Sequence, residues 1–171
     1  MLHIYYGYGK GKTSTINGSA IRAIGADLKV CIYRFLKGRP SSENSLLEKN
    51  GIKVYTNHSS PKFVIEMNDE EKIIAKQDVM NTLEHLLENY HKFDLVILDE
   101  FLDLCDKTVS LLSEKEMKET ILKIKNESNE IMITGHSKIP LIFEEADLIT
   151  NFISEKHYFD EGVKQRKGLE Y

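Results

Sequence analysis

Three glycines, two lysines and two aliphatic hydroxyl residues fall within Gly7-Tyr8-Gly9-Lys10-Gly11-Lys12-Thr13-Ser14, the composition of a loop that cradles phosphate. The usual nucleotide-binding pattern, G-x-x-x-x-G-K-[ST], sets its first glycine five positions before the second. Here that position holds Tyr6, and the glycine arrives one residue later, at Gly7. The lysine, the hydroxyl and the run of backbone N–H groups are kept, so the phosphate chemistry survives in a tighter turn. In such a loop Lys12 meets β/γ-phosphate charge and the Thr13 hydroxyl holds Mg²⁺ or Mn²⁺. A second chemical group ends an apolar run, where Leu95-Val96-Ile97-Leu98 gives way to Asp99-Glu100. An acid at the carboxyl end of a hydrophobic strand is the layout of the metal-supporting carboxylate in P-loop proteins. One carboxylate is expected to accept from Thr13 or a metal-bound water, and the other to touch the metal. The acid strand is expected to neighbour the P-loop strand.

Other chemistries lack their residues. There is no Asn-Lys-x-Asp segment to read guanine and no cysteine quartet for a zinc ribbon. The six histidines do not pair at metal-ligand spacing; His85 and His91 read as surface residues. No serine or cysteine stands in a nucleophile arrangement, so any attacking group is expected to come from the substrate. Cys31 and Cys105 read as small buried hydrophobes in a reducing cytosol. A net charge of −4 and a pI near 5.9 argue against a nucleic-acid partner. No apolar run is long enough to span a membrane, and no signal-peptide pattern is expected where strand character begins at Leu2. A cytoplasmic protein is expected.

The elements that must position these groups alternate strand and helix through one domain, 1–171. Leu2–Tyr6, Lys29–Phe35, Ile52–Tyr55, Phe93–Leu98, Ile131–Thr134 and Leu148–Thr150 read as strands. The helix after the glycine loop puts Ile16, Ala20, Ile21 and Ile24 at helical spacings and stops at Gly25. Asn68 with Glu71, and Ser113 with Glu116, read as capping boxes. The first opens a long helix with an apolar face of Ile73, Val79, Met80, Leu83, Leu86, Leu87 and Tyr90. Met117, Ile121 and Ile124 line the second. Lys37 to Ser42 is a loop, and Lys156 to Tyr171 an irregular tail or lid. The pattern specifies an α/β, doubly wound, mostly parallel sheet of P-loop NTPase (RecA-like) type, with ligands at the carboxyl ends of its strands.

Taken together, these segments resemble the P-loop type of ATP:cob(I)alamin (corrinoid) adenosyltransferase. The loop at 7–14 is similar to that family's G-N-G-K-G-K-T-T, including the displaced first glycine. Arg22-Ala23-Ile24-Gly25 looks like its R-A-x-G, and Phe35-Leu36-Lys37-Gly38 like its F-I-K-G. Asp94-Leu95-Val96-Ile97-Leu98-Asp99-Glu100 resembles D-L-V-V-L-D-E, and Thr134-Gly135 its I-T-G turn. The segment from Lys156 to Tyr171 resembles the closing K-H-x-x-D-x-G-V-K-A-x-K-G-I-E-[FYW]. The resemblance implies that a corrinoid reduced to Co(I) attacks the ribose 5′ carbon of ATP and expels tripolyphosphate, in adenosylcobalamin synthesis or salvage. It implies that Gly7, Tyr8, Gly9, Lys10, Gly11, Lys12, Thr13 and Ser14 bind the triphosphate, with Lys12 and Lys10 countering leaving-group charge. Thr13 and Glu100 would hold Mg²⁺, with Asp99 in support, and Lys12 and Glu100 would be catalytic. The nucleotide would lie reversed relative to ordinary P-loop enzymes. A homodimer and an electron-donating reductase or flavodoxin-like partner are also implied.

Three positions depart from the family pattern. Tyr8 stands where asparagine is usual, and His136 where arginine is usual, making it a titratable phosphate contact. Lys62-Phe63-Val64-Ile65-Glu66 falls at the corrinoid loop, so Phe63 and Ile65 are the implied corrinoid contacts, with Ile65 replacing a tryptophan. Two other functions fit the same motifs: a P-loop ATPase or small-molecule kinase of changed substrate, and a non-catalytic nucleotide- or corrinoid-binding protein.

Overall fold

The computed structural model describes residues 1–37, 41–56, 62, 64–125 and 129–169. Phe63, Gly38 and the closing Glu170-Tyr171 lie outside the described residues. Six strands, β1 (Leu2–Tyr6), β2 (Val30–Arg34), β3 (Lys53–Thr56), β4 (Leu95–Asp99), β5 (Glu130–Gly135) and β6 (Leu148–Asn151), form one sheet. Its order is β3-β2-β4-β5-β1-β6, and every pairing is parallel. The sheet is therefore wholly rather than mostly parallel. Parallel neighbours need crossovers, and the helices that provide them cover both faces. That is why β2 and β4, near the middle of the sheet, are buried at every position.

Helices α1 (Lys12–Ile24) and α2 (Asn44–Lys49) cover one face, where Ile16, Ala20, Ala23 and Leu47 meet Ile32, Leu95 and Ile97. The other face carries α3 (Asp69–Asn89), α4 (Glu114–Lys125) and the short α5 (Pro140–Phe143). Both capping boxes form. Asn68 and Glu71 exchange side-chain-to-backbone bonds of 2.9 Å each, and Glu116 N–H donates to Ser113 Oγ at 3.2 Å. A cap contributes ~1 kcal/mol, whereas each fully buried aliphatic side chain contributes ~1.5–3 kcal/mol, so the buried stripe fixes where α3 lies. That stripe is Ala75, Val79, Leu83 and Leu86.

Several sequence expectations change here. Ile73 and Met80 are exposed, at 70% and 41%, as is Ile21 on α1 at 54%. One helix face against a sheet is narrower than the set of apolar residues these helices carry. The acid strand β4 does not neighbour the P-loop strand β1; β5 lies between them. His85 is exposed, as a surface residue should be, and in addition its Nδ1 lies 3.0 Å from Tyr33 Oη and its ring packs on Tyr55. Cys31 is a buried free thiol, but Cys105 is only partly buried; burial pushes both thiols up, Cys105 to about 11. No described helix is long and apolar enough to cross a membrane.

Candidate active site

Residues directly after the carboxyl ends of β1, β4, β5 and β6 surround a cleft of about 980 Å³. Its lining includes Tyr8 through Ser14, Glu100, Thr134 and His136, with the tail residues His157 to Asp160 on another side. The tight glycine loop is shaped by the edge strand. Gly9 N–H donates to Phe152 O at 2.8 Å, and Phe152 N–H to Tyr6 O at 2.7 Å. Gly7, at φ +110°, has space for no side chain: a Cβ there would stand 2.4 Å from Phe152 O and 2.5 Å from Asn151 Oδ1. A Cβ on Gly9 would meet Phe152 C at 2.8 Å. The shortened loop thus lies directly on residues 151–153 before α1 begins at Lys12.

Lys12 folds back into its own loop, its Nζ donating to Gly7 O at 2.5 Å and Gly9 O at 3.1 Å. Burial lowers its pKa, opposed by the nearby carboxylates of Asp103, Glu100 and Asp99. Lys10 reaches the tail, donating to Tyr158 Oη at 2.7 Å. Ser14 is exposed in the cleft lining.

Asp99 is the electrostatic centre, with none of its surface exposed. It accepts from Arg34 Nη1 at 2.8 Å, Lys37 Nζ at 2.6 Å and Thr134 Oγ1 at 2.7 Å. Thr13 Oγ1 lies 3.3 Å from its Oδ1, which joins the glycine loop to β4 across the intervening strand. Burial alone would raise the Asp99 pKa; the Lys37 and Arg34 charges reverse this and hold it below the usual carboxylate range. Arg34 closes β2 in register with Asp99, and its Nη2 contacts Asn17 Oδ1 at 2.9 Å and Glu43 Oε1 at 3.3 Å. Glu100 adopts the left-handed φ of +62°, uncommon outside glycine, with its N–H donating to Thr134 Oγ1 at 2.8 Å. Burial, reinforced by Asp99 and Asp103 and opposed by Lys37, pushes its carboxyl up to about 7.

His136 follows β5 and is held twice by Asp103. Its backbone N–H donates to Oδ1 at 2.7 Å, and its Nδ1 lies 2.9 Å from Oδ2. The bond to Asp103 raises the imidazole pKa, against the opposing effect of burial. Nε2 is then the ring nitrogen left for a ligand, and Tyr8, 76% exposed, packs against the ring at a centroid distance of 5.4 Å. Ile65 is 67% exposed on the short turn Val64–Glu66, and the cleft's described lining does not include it.

Sequence reasoning left Arg34, Lys37 and Asp103 without a role. Two of them carried a signal: a charge within an apolar run, as in Val30-Cys31-Ile32-Tyr33-Arg34-Phe35 and Phe101-Leu102-Asp103-Leu104. Among the described residues no three His, Cys, Asp or Glu side chains group as metal ligands. The oxygens of Thr13, Asp99 and Glu100 nevertheless fit a cation, because they already surround the Lys37 ammonium.

A family model described as ATP:corrinoid adenosyltransferase BtuR/CobO/CobP matches residues 1–171. The chain is 30% identical to a corrinoid adenosyltransferase of Escherichia coli (strain K12), across 98% of this chain and 84% of that protein. It is 28% identical to one from Pseudomonas aeruginosa (strain PAO1), across 100% and 83%. The corrinoid adenosyltransferase CobA of Salmonella typhimurium (strain LT2) is 30% identical, across 98% and 84%.

Proposed function

The chain belongs to the ATP:corrinoid adenosyltransferase family, and from that premise we propose that it transfers the 5′-deoxyadenosyl group of ATP to a reduced corrinoid and releases tripolyphosphate. The family match over residues 1–171 carries this reading. The Co(I) electron pair forms the cobalt–carbon bond, the C5′–O bond breaks, and its electron pair leaves on the oxygen of tripolyphosphate. The nucleophile belongs to the substrate, so the protein needs no general base. Its work is to position C5′ and to stabilise charge gathering on the leaving oxygens.

The α1 N-terminus, the Lys12 ammonium and the His136 Nε2–H supply that stabilisation from one cleft. On entry of the triphosphate, Lys12 exchanges its loop carbonyls for phosphate oxygens. Lys10 adds charge from the mouth of the loop, where Tyr158 of the tail holds it. Thr13 and Glu100 hold Mg²⁺, which when bound neutralises part of the triphosphate charge, and Asp99 fixes the Thr13 hydroxyl. Protonated Glu100 cannot serve as a metal ligand, so a carboxyl pushed to about 7 makes metal uptake weaken as pH falls through neutrality. Phe63 and Ile65 are assigned to the corrinoid side, in a cytoplasmic homodimer served by a flavodoxin-like or other reductase partner. Incubation with MgATP and chemically reduced cobalamin is expected to give a light-sensitive alkylcorrinoid and one tripolyphosphate per turnover. Formation of ADP and orthophosphate alone would refute the proposal.

A further inference from the structure

Lys37 stands among the oxygens assigned to the metal, and the backbone is bent to put it there. Leu36 adopts a left-handed φ of +58°, uncommon for a residue with a side chain. Immediately before it, Phe35 N–H donates to Asp99 O at 3.0 Å, tying the end of β2 to the end of β4. The turn returns the Lys37 side chain to the same place. Its Nζ lies 2.6 Å from Asp99 Oδ2, 3.2 Å from Thr13 Oγ1 and 3.7 Å from Glu100 Oε1.

Only 17% of the Lys37 side chain is exposed. Arg34 Nη1 approaches the same Asp99 oxygen at 2.8 Å. Both cations already pair with this buried carboxylate, so a divalent ion arriving alone must first break the Lys37–Asp99 pair to reach the Asp99 and Glu100 oxygens. An ion arriving with a triphosphate brings its own compensation. We infer that Lys37 is a tethered stand-in for the metal: it fills the metal position in the nucleotide-free protein, and the divalent ion enters only with the triphosphate, displacing it. The inference rests on the proposal that Thr13 and Glu100 hold the metal. It gives Lys37 a positioning role, keeping the metal oxygens in place before substrate arrives and making metal uptake conditional on nucleotide.

The test is Mn²⁺ binding to the full chain, followed by the EPR signal of free Mn²⁺, for the wild type and Lys37→Met, with and without ATP. The wild type is expected to bind Mn²⁺ alone at least ~10-fold more weakly than Lys37→Met, and to take up Mn²⁺ readily with ATP. Equal affinities for Mn²⁺ alone would overturn the stand-in role and leave the metal–nucleotide site intact. Failure of the wild type to take up Mn²⁺ with ATP would overturn the site itself. If Lys37→Met does not fold, Mn²⁺ anomalous scattering from wild-type crystals decides the matter. The expected result is no peak beside Thr13 without nucleotide, and a peak there with ATP once Lys37 has left Asp99. A peak with Lys37 still seated on Asp99 would overturn the inference.

Discussion

Replacing Asp99 by asparagine keeps the shape at the centre of the site and removes its charge. Arg34 and Asp99 are both fully buried at 2.8 Å, so the substitution removes the buried carboxylate from a buried guanidinium. Breaking such a pair costs ~3–5 kcal/mol. Arg34 keeps Asn17 and Glu43, which places the expected loss near the lower end, at about 3 kcal/mol. That is a large part of the ~5–15 kcal/mol that holds a domain folded. At ~2–4 °C per kcal/mol for a chain of this size, Tm should fall by roughly 6–12 °C. Urea unfolding gives the free energy and a thermal melt gives the shift. The folded-state pKa of Asp99 is depressed, so its contribution is present above the unfolded carboxylate value and is lost as pH falls through the folded one. The gap between wild type and Asp99→Asn should therefore hold at neutral pH and close in strong acid. A loss under ~1 kcal/mol at pH 7, the size of a surface pair, would refute the reasoning.

Three further outcomes follow from the same geometry. Lys12→Ala should cut turnover by ~10²-fold or more with an unchanged far-UV spectrum, and full activity would remove the P-loop lysine from the mechanism. Asp103→Asn should lower the His136 pKa towards its ordinary 6.5, read by NMR titration of the ring. Because the pair raises that pKa, its stabilisation is complete below the unfolded value and lost as pH rises through the folded one; an unmoved titration would show that Asp103 does not charge the ring. Gly9→Ala drives a Cβ to within 2.9 Å of Ile153 backbone atoms, so the loop must lift from residues 152–153. Calorimetry should show ATP binding weakened by ~1–3 kcal/mol, and unchanged affinity would mean that the loop's seat on the edge strand does not shape the phosphate site.

The fold was legible where one physical signal dominated. Continuous apolar runs such as Leu95 to Leu98 specify strands buried on both faces, and the two capping boxes mark the starts of α3 and α4. Strand neighbours were not legible, because chain order does not reveal which crossover skips a position; β5 therefore came between β1 and β4 unannounced. The apolar stripe of α3 was overread at Ile73 and Met80, since periodicity does not tell how wide the covering sheet is. The six-residue helix α2 is too short to carry a period of its own. At the site, Thr13 and Asp99 were legible as motif residues, and the structure brings them together. Arg34 and Asp103 were not, and Lys37 stood in the Phe35-Leu36-Lys37-Gly38 motif without a role, because their partners lie 65, 33 and 62 residues away in the chain. Only the register of β2 on β4, and the turns after β2 and β5, join them. The shortened glycine loop belongs to the same class: its reason is the close approach of Phe152, a residue no local pattern connects to it.

The bond that breaks in ATP decides between adenosyl transfer and every phosphoryl-transfer alternative. ATP carrying ¹⁸O in the bridge between C5′ and the α-phosphorus, turned over with reduced cobalamin and Mg²⁺, should deliver all of its label into tripolyphosphate. Label retained with the nucleoside, in ADP or AMP, would mean cleavage at phosphorus and would contradict the function assigned to this cleft.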